Sequence, residues 1–166
     1  MILIRHFTPE DADEVRDLIQ GIMNEEFHDD RAAYPNDDLK NIPETYGSLG
    51  EAFFVAVKSG KIVGTVAIKR EDDRVALLRR LFVAAPHRHQ QIGGKLIDRA
   101  LEFCEEVGYK EVIFKSTSRM EAAGKTCEKK GFVQRAKIDL GNIELFKFAL
   151  SLRHGRLLKE SKIRAR

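Results

Sequence analysis

Residues 75–97 constrain the fold of this chain more than any other stretch. Residues 75–83 are mostly aliphatic, as expected of a strand buried on both faces, and Pro86, which has no N–H for a sheet ladder, marks the exit. Ile92, Leu96, Ile97, Ala100, Leu101, Cys104 and Val107 then recur at helical spacing, and Gly108 fits a C-terminal cap. The polar turn between strand and helix carries backbone N–H groups that, with the orphan donors of the helix start, can converge on an anion. A strand, an anion-binding turn and a helix in that order predict an α/β chain with a phosphate cradle.

The flanking sequence extends this pattern. Residues 2–7 read as a strand, and Thr8-Pro9-Glu10-Asp11 opens a helix to about Asn24 with its core stripe at Ala12, Val15, Leu18, Ile19, Ile22 and Met23. A long polar segment, residues 25–51, holds Glu26, His28, Asp29, Asp30, Asp37 and Asp38, with a short helix predicted near residues 37–42. Residues 52–58 and 61–70 around Ser59-Gly60 form a hairpin. Residues 110–117 read as a strand, 119–130 as a short helix capped by Gly131, and 132–138 and 143–150 as two closing strands.

Here the chain resembles the GCN5-related N-acetyltransferases, whose acetyl-CoA loop reads Arg/Gln-x-x-Gly-x-Gly/Ala after a strand ending in a Leu-aromatic-Val run. Leu81-Phe82-Val83 matches the strand end, Arg88 the first loop position, Ile92 the aliphatic and Gly93 the last glycine, while Gln91 stands where the family has its first glycine. If the backbone there has positive φ, a non-glycine costs roughly 1–2 kcal/mol. A second segment resembles the family's Asn-x-x-Ala-x-x-Leu-Tyr-x-x-x-Gly-Phe: Ala123, Gly131 and Phe132 match, whereas Met120, Thr126 and Cys127 replace asparagine, leucine and tyrosine. The resemblance implies a mixed-sheet α/β, acyl-CoA N-acyltransferase fold over residues 1–150 as one domain, followed by a basic tail, 151–166.

It also implies a site. Leu81, Phe82 and Val83 would line a gap beside a splayed parallel strand, and Arg88, His89, Gln90, Gln91, Ile92, Gly93 and Gly94 would hold the cofactor, acetyl-CoA, as cosubstrate. Cys127 occupies the position of the acid that protonates the leaving thiolate, and Glu26 is the candidate base. Glu26, Asp29 and Asp30 form an acidic cluster suited to a cationic amine. Arg79 and Arg80 lie on an apolar strand whose successive residues face opposite sides, so Arg80 is a candidate either for an ion pair with an acid of residues 26–30 or for an acceptor's carboxylate.

The expected reaction is acetyl transfer to a primary amine in a ternary complex, with that amine as the principal partner. The departures at Gln91, Met120 and Cys127 leave open a CoA-binding module without catalysis. The net charge of +3 is too small to argue for nucleic acid, and only the tail from Ser151, with seven basic side chains against Glu160, points that way. No long apolar run predicts a membrane span, no residue spacing predicts a metal, and two cysteines without ligand spacing suggest free thiols in the cytoplasm. Oligomeric state, a homodimer included, is not fixed by the sequence.

Overall fold

The computed structural model describes residues 1–28 and 35–152. Seven strands form one mixed sheet in the order β1-β2-β3-β4-β5-β7-β6. β1 (Ile2–His6), β2 (Ala52–Lys58), β3 (Lys61–Arg70) and β4 (Val75–Val83) are successive antiparallel neighbours. β5 (Glu111–Thr117) runs parallel to β4, and β7 (Glu144–Ser151) inserts antiparallel between β5 and β6 (Val133–Asp139).

The helices cover both faces, as a sheet with apolar residues on both sides requires. α1 (Ala12–Glu26) and α2 (Ile42–Tyr46) close one face over Phe53, Val55, Ala67 and Phe82, while α3 (Ile92–Val107) and α4 (Glu121–Lys129) close the other over Phe54, Val66, Leu78 and Phe114. Val15 and Ile19 of α1 and Leu96 and Ile97 of α3 are fully buried, and each such side chain contributes roughly 1.5–3 kcal/mol. α3 comes close to the sheet because Gly64 has no side chain. A Cβ there would meet Leu96 Cδ1 at 2.9 Å and the Phe82 carbonyl oxygen at 3.0 Å.

The predicted hairpin is present with the predicted ends, its Ser59-Gly60 turn having φ of 52° and 75°, the two positive values of a type I′ turn. Two readings need correction. The single helix expected near residues 37–42 is a 3₁₀ turn, Asp37–Lys40, followed by α2, in which the Asn41 side chain accepts from the Glu44 N–H at 3.4 Å and Pro43 lies in the first turn. β4 is not buried on both faces: fully and partly buried residues alternate along it, so one face is less completely covered than the other. The basic tail beyond Leu152 lies outside the described residues.

Candidate active site

β4 and β5 pair only from Val75↔Glu111 to Leu78↔Phe114. Beyond that point β4 continues against β3 and β5 against β7, so two strand edges face each other across a fork and keep main-chain donors and acceptors available. The parting coincides with a bulge. Arg80 and Leu81 together oppose Val66, Arg80 takes a left-handed φ of 54°, and Thr65 Oγ1 donates to the Arg80 carbonyl at 2.7 Å. Such an extra residue bends and twists its strand.

Strand alternation then decides which backbone groups face the fork. The Ala84 N–H donates to the Val63 carbonyl at 2.8 Å, so the Phe82 backbone faces β3 as well, and those of Leu81 and Val83 turn toward the gap. Phe82 instead places its ring in the core beneath α1.

The turn after β4 has two more left-handed residues, His89 and Gln91, each with φ of 64°. Gln91 is the residue before α3, so the strain foreseen for a side chain at this position is present. The first ladder bond runs from the Lys95 N–H to the Gln91 carbonyl at 3.1 Å, which leaves the N–H groups of Ile92, Gly93 and Gly94 ahead of the helical ladder. A Cβ on Gly93 would approach Val83 Cγ2 and Thr126 Cγ2 no closer than 3.8 and 3.9 Å. Protein packing therefore does not demand glycine there, and the space it leaves adjoins N–H groups outside the helical ladder. Gly94 lies beneath the end of the Lys130 side chain, whose Nζ donates to Asp98 Oδ2 at 3.0 Å.

Arg88 is directed back toward the end of β4. Its Nε donates to the Val83 carbonyl at 2.9 Å, and its terminal nitrogens hold the Glu26 carboxylate at 2.5 and 2.8 Å. Those hydrogen bonds hold the Glu26 carboxyl below its usual value despite partial burial, and a carboxylate so held is a weak base. Asp29 and Asp30 lie outside the described residues.

Arg80 pairs with an acid of the long loop, as one reading of the sequence expected, but with Asp38 rather than an acid of residues 26–30. Its Nε and Nη2 donate to Asp38 Oδ2 and Oδ1 at 2.9 and 2.5 Å, and Nη2 also donates to the Pro35 carbonyl at 2.7 Å. Tyr46 Oη donates to Asp38 Oδ2 at 2.5 Å, and Arg79 Nη2 lies 3.9 Å from the same oxygen. Arg79 and Arg80 thus do not face opposite sides, because the bulge interrupts alternation between them. Burial would push the Asp38 carboxyl up, but the bonds from Arg80 and Tyr46 and the arginine charges outweigh it and hold it below its usual value. Burial, reinforced by Asp38, pushes the Tyr46 phenol up and keeps it protonated. No local pattern signalled this cluster, whose members are separated by up to 45 residues.

Cys127 is completely buried between α3, α4 and the sheet. Burial, with the charge of Glu128, pushes its thiol up to about 12. Between β4 and β5, at the base of the fork, lies a cleft of about 250 Å³ lined by Pro35, Leu77, Leu78, Arg79, Arg80, Ile113, Phe114 and Lys115. No group of side chains suited to a metal ion occurs among the described residues.

A mixed sheet forked beside a bulge, with a glycine-bearing helix start at its mouth, defines an acyltransferase-type α/β fold. The family model of the Acetyltransferase (GNAT) family matches residues 13–132, and the chain belongs to that family. It is 33% identical over 101 residues to N-acetyltransferase family 8 member 3 of Rattus norvegicus, covering 57% of this chain and 44% of that protein. It is 36% identical over 97 residues to N-acetylaspartate synthetase of Xenopus tropicalis, covering 57% of this chain and 36% of that one. The matched region is thus less than half the length of these two curated relatives. An acetyltransferase structure from Salmonella typhimurium, solved with its cofactor acetyl-CoA, superposes with a TM-score of 0.76 at 18% identity over 92% of this chain and 95% of that one.

Proposed function

We propose that the protein is an acetyl-CoA-dependent N-acetyltransferase acting on a primary amine by direct transfer. The observation that carries this reading is the fork: unladdered backbone at Leu81 and Val83 lies on the same strand that leads into the donor-rich turn and the open space at Gly93. Family membership and the acetyl-CoA-bound neighbour support it. Bound acetyl-CoA would supply the acetyl group as a thioester, whose C–S bond breaks as the amine nitrogen forms its new bond to the carbonyl carbon.

The chain's own residues have separate parts in that chemistry. The N–H groups of Ile92, Gly93 and Gly94 bind phosphate at the helix start. Leu81 or Val83 N–H holds the carbonyl oxygen as it gains charge, and one such donor contributes on the order of 10²–10³ in rate. Glu26 orients Arg88 against the end of β4 rather than accepting the amine proton, which passes to water. Cys127 keeps its proton, since a thiol near 12 is a weaker acid than the departing CoA thiol, which has a pKa of about 8.5 by analogy with cysteine. That thiolate leaves without help near neutral pH. The free, buried Cys104 and Cys127 support a reducing compartment such as the cytoplasm. Among the described residues no helix is long and apolar enough to cross a membrane.

Calorimetry with acetyl-CoA, followed by mass spectrometry of an amine panel, tests the reading. Binding with equimolar release of thiol and acetylated amine is expected. A folded protein that binds no acetyl-CoA at millimolar concentration overturns it. Binding without turnover of any amine favours the non-catalytic module instead.

A further inference from the structure

Among the described residues, the charged side chains lining the cleft at the base of the fork are Arg79, Arg80 and Lys115, opposite in sign to those of an amine-attracting site. Arg79 and Arg80 both reach the face of the sheet that Pro35 covers, and Asp38 is the carboxylate that the two share. Tyr46 donates to that same carboxylate and adds no negative charge. The Arg80 side chain is 4% exposed, and although its Nε and Nη2 have acceptors, its buried Nη1 has none. A buried cationic nitrogen without an acceptor is unfavourable, and it leaves the Arg80 charge only partly offset at the wall of the cleft. Arg79, with a side chain 37% exposed, lines the cleft beside it, and Lys115 lines the opposite strand. Leu77 and Ile113 make the remaining walls apolar.

Size and position narrow the occupant. A volume of about 250 Å³ lies below the range of about 300–1,000 Å³ that takes drug-sized ligands. Arg79 precedes Leu81 by two residues across the bulge, at most roughly 7 Å along the strand, a span on the scale of one amino acid. An oxyanion beside the arginines therefore leaves a neighbouring amine near the backbone that faces the fork.

We infer that this cleft binds an oxyanion of the acceptor, a carboxylate in the first instance, so that the acceptor is a small amino acid and Arg79 and Arg80 determine specificity. The inference rests on the acetyl transfer proposed above. It departs from the cationic amine expected from the acidic cluster: Glu26 of that cluster is held by Arg88, and Asp38, further along the same loop, by Arg80.

The test uses the full chain with saturating acetyl-CoA and follows thiol release with free amino acids, their carboxamides, aminoalkylphosphonates and diamines, with rates expressed per free amine. The kcat/KM for amino acids should exceed that for their carboxamides at least about tenfold. Arg79→Gln should bring that ratio toward one by raising KM for the acids, and Arg79→Lys should restore part of it. If Arg79→Gln melts well below wild type, Lys115→Gln reads the same ratio. Carboxamides or diamines used as well as amino acids would overturn the inference while leaving acetyl transfer standing. A preference for aminoalkylphosphonates would overturn the carboxylate and keep the oxyanion. Loss of acetyl-CoA binding in folded wild type removes the proposed function and this inference with it.

Discussion

Gln91 holds a conformation that its side chain disfavours, φ 64° and ψ 16°, at the point where the chain enters α3. Replacing it with glycine removes strain of roughly 1–2 kcal/mol but increases the freedom of the unfolded chain by roughly 0.4–1 kcal/mol. Gln91→Gly should therefore stabilise the protein by up to about 1.5 kcal/mol, read as a higher urea midpoint with unchanged slope. Cys127 poses a different single-residue question. Its thiol is fully buried and pushed up to about 12, so Cys127→Ala should cost about 1 kcal/mol of packing and leave kcat within about twofold. A loss of kcat of about 10² or more, with acetyl-CoA affinity intact, would make the thiol an acid after all.

At the scale of elements, the Asp38 carboxylate and the Pro35 carbonyl tie the connection between α1 and β2 to Arg80 of β4. Asp38→Asn keeps the shape but leaves Arg80 buried without its counter-charge, a loss of about 3–5 kcal/mol that equilibrium unfolding would detect. Because the folded-state value of Asp38 lies below its unfolded one, its contribution is complete above about pH 4 and disappears as pH falls through the folded value. Acid unfolding of wild type should thus steepen below about pH 4, and Asp38→Asn should be flatter there. The start of α3 supports a complementary expectation. Gly93→Val should abolish acetyl-CoA binding in calorimetry while shifting the melting temperature little, since a Cβ there meets only ordinary contacts. These elements were unequally legible in the sequence. β2, β3 and β4 end where periodicity and turn residues put them, because hairpin and strand signals are local. The bulge at Arg80 was not legible, since it depends on the register against β3, and with it went the partner of Arg80 and the face on which Arg79 lies. The turn at residues 88–94 could be located from its glycines and the strand before it, whereas the Arg88–Glu26 contact joins positions 62 residues apart that share no local motif.

For the whole molecule, a ligand that binds only the folded state should raise its stability by mass action. Acetyl-CoA at one hundred times its dissociation constant adds about 2.7 kcal/mol, and at about 2–4 °C per kcal/mol for a chain of this size the melting temperature should rise by about 5–11 °C. An unchanged melting temperature at that excess would be inconsistent with a cofactor site in the folded state. The strand order has a consequence for biosynthesis. β1 to β4 are neighbours in sequence as well as in space, so this half of the sheet can assemble while later residues are still being added. β7 lies between β5 and β6, which means that among the described residues the last strand to leave the ribosome is an interior one. Until Ser151 has emerged, β5 and β6 have no strand to join them, and a nascent chain stalled near Leu140 would present an open edge to any other strand it met.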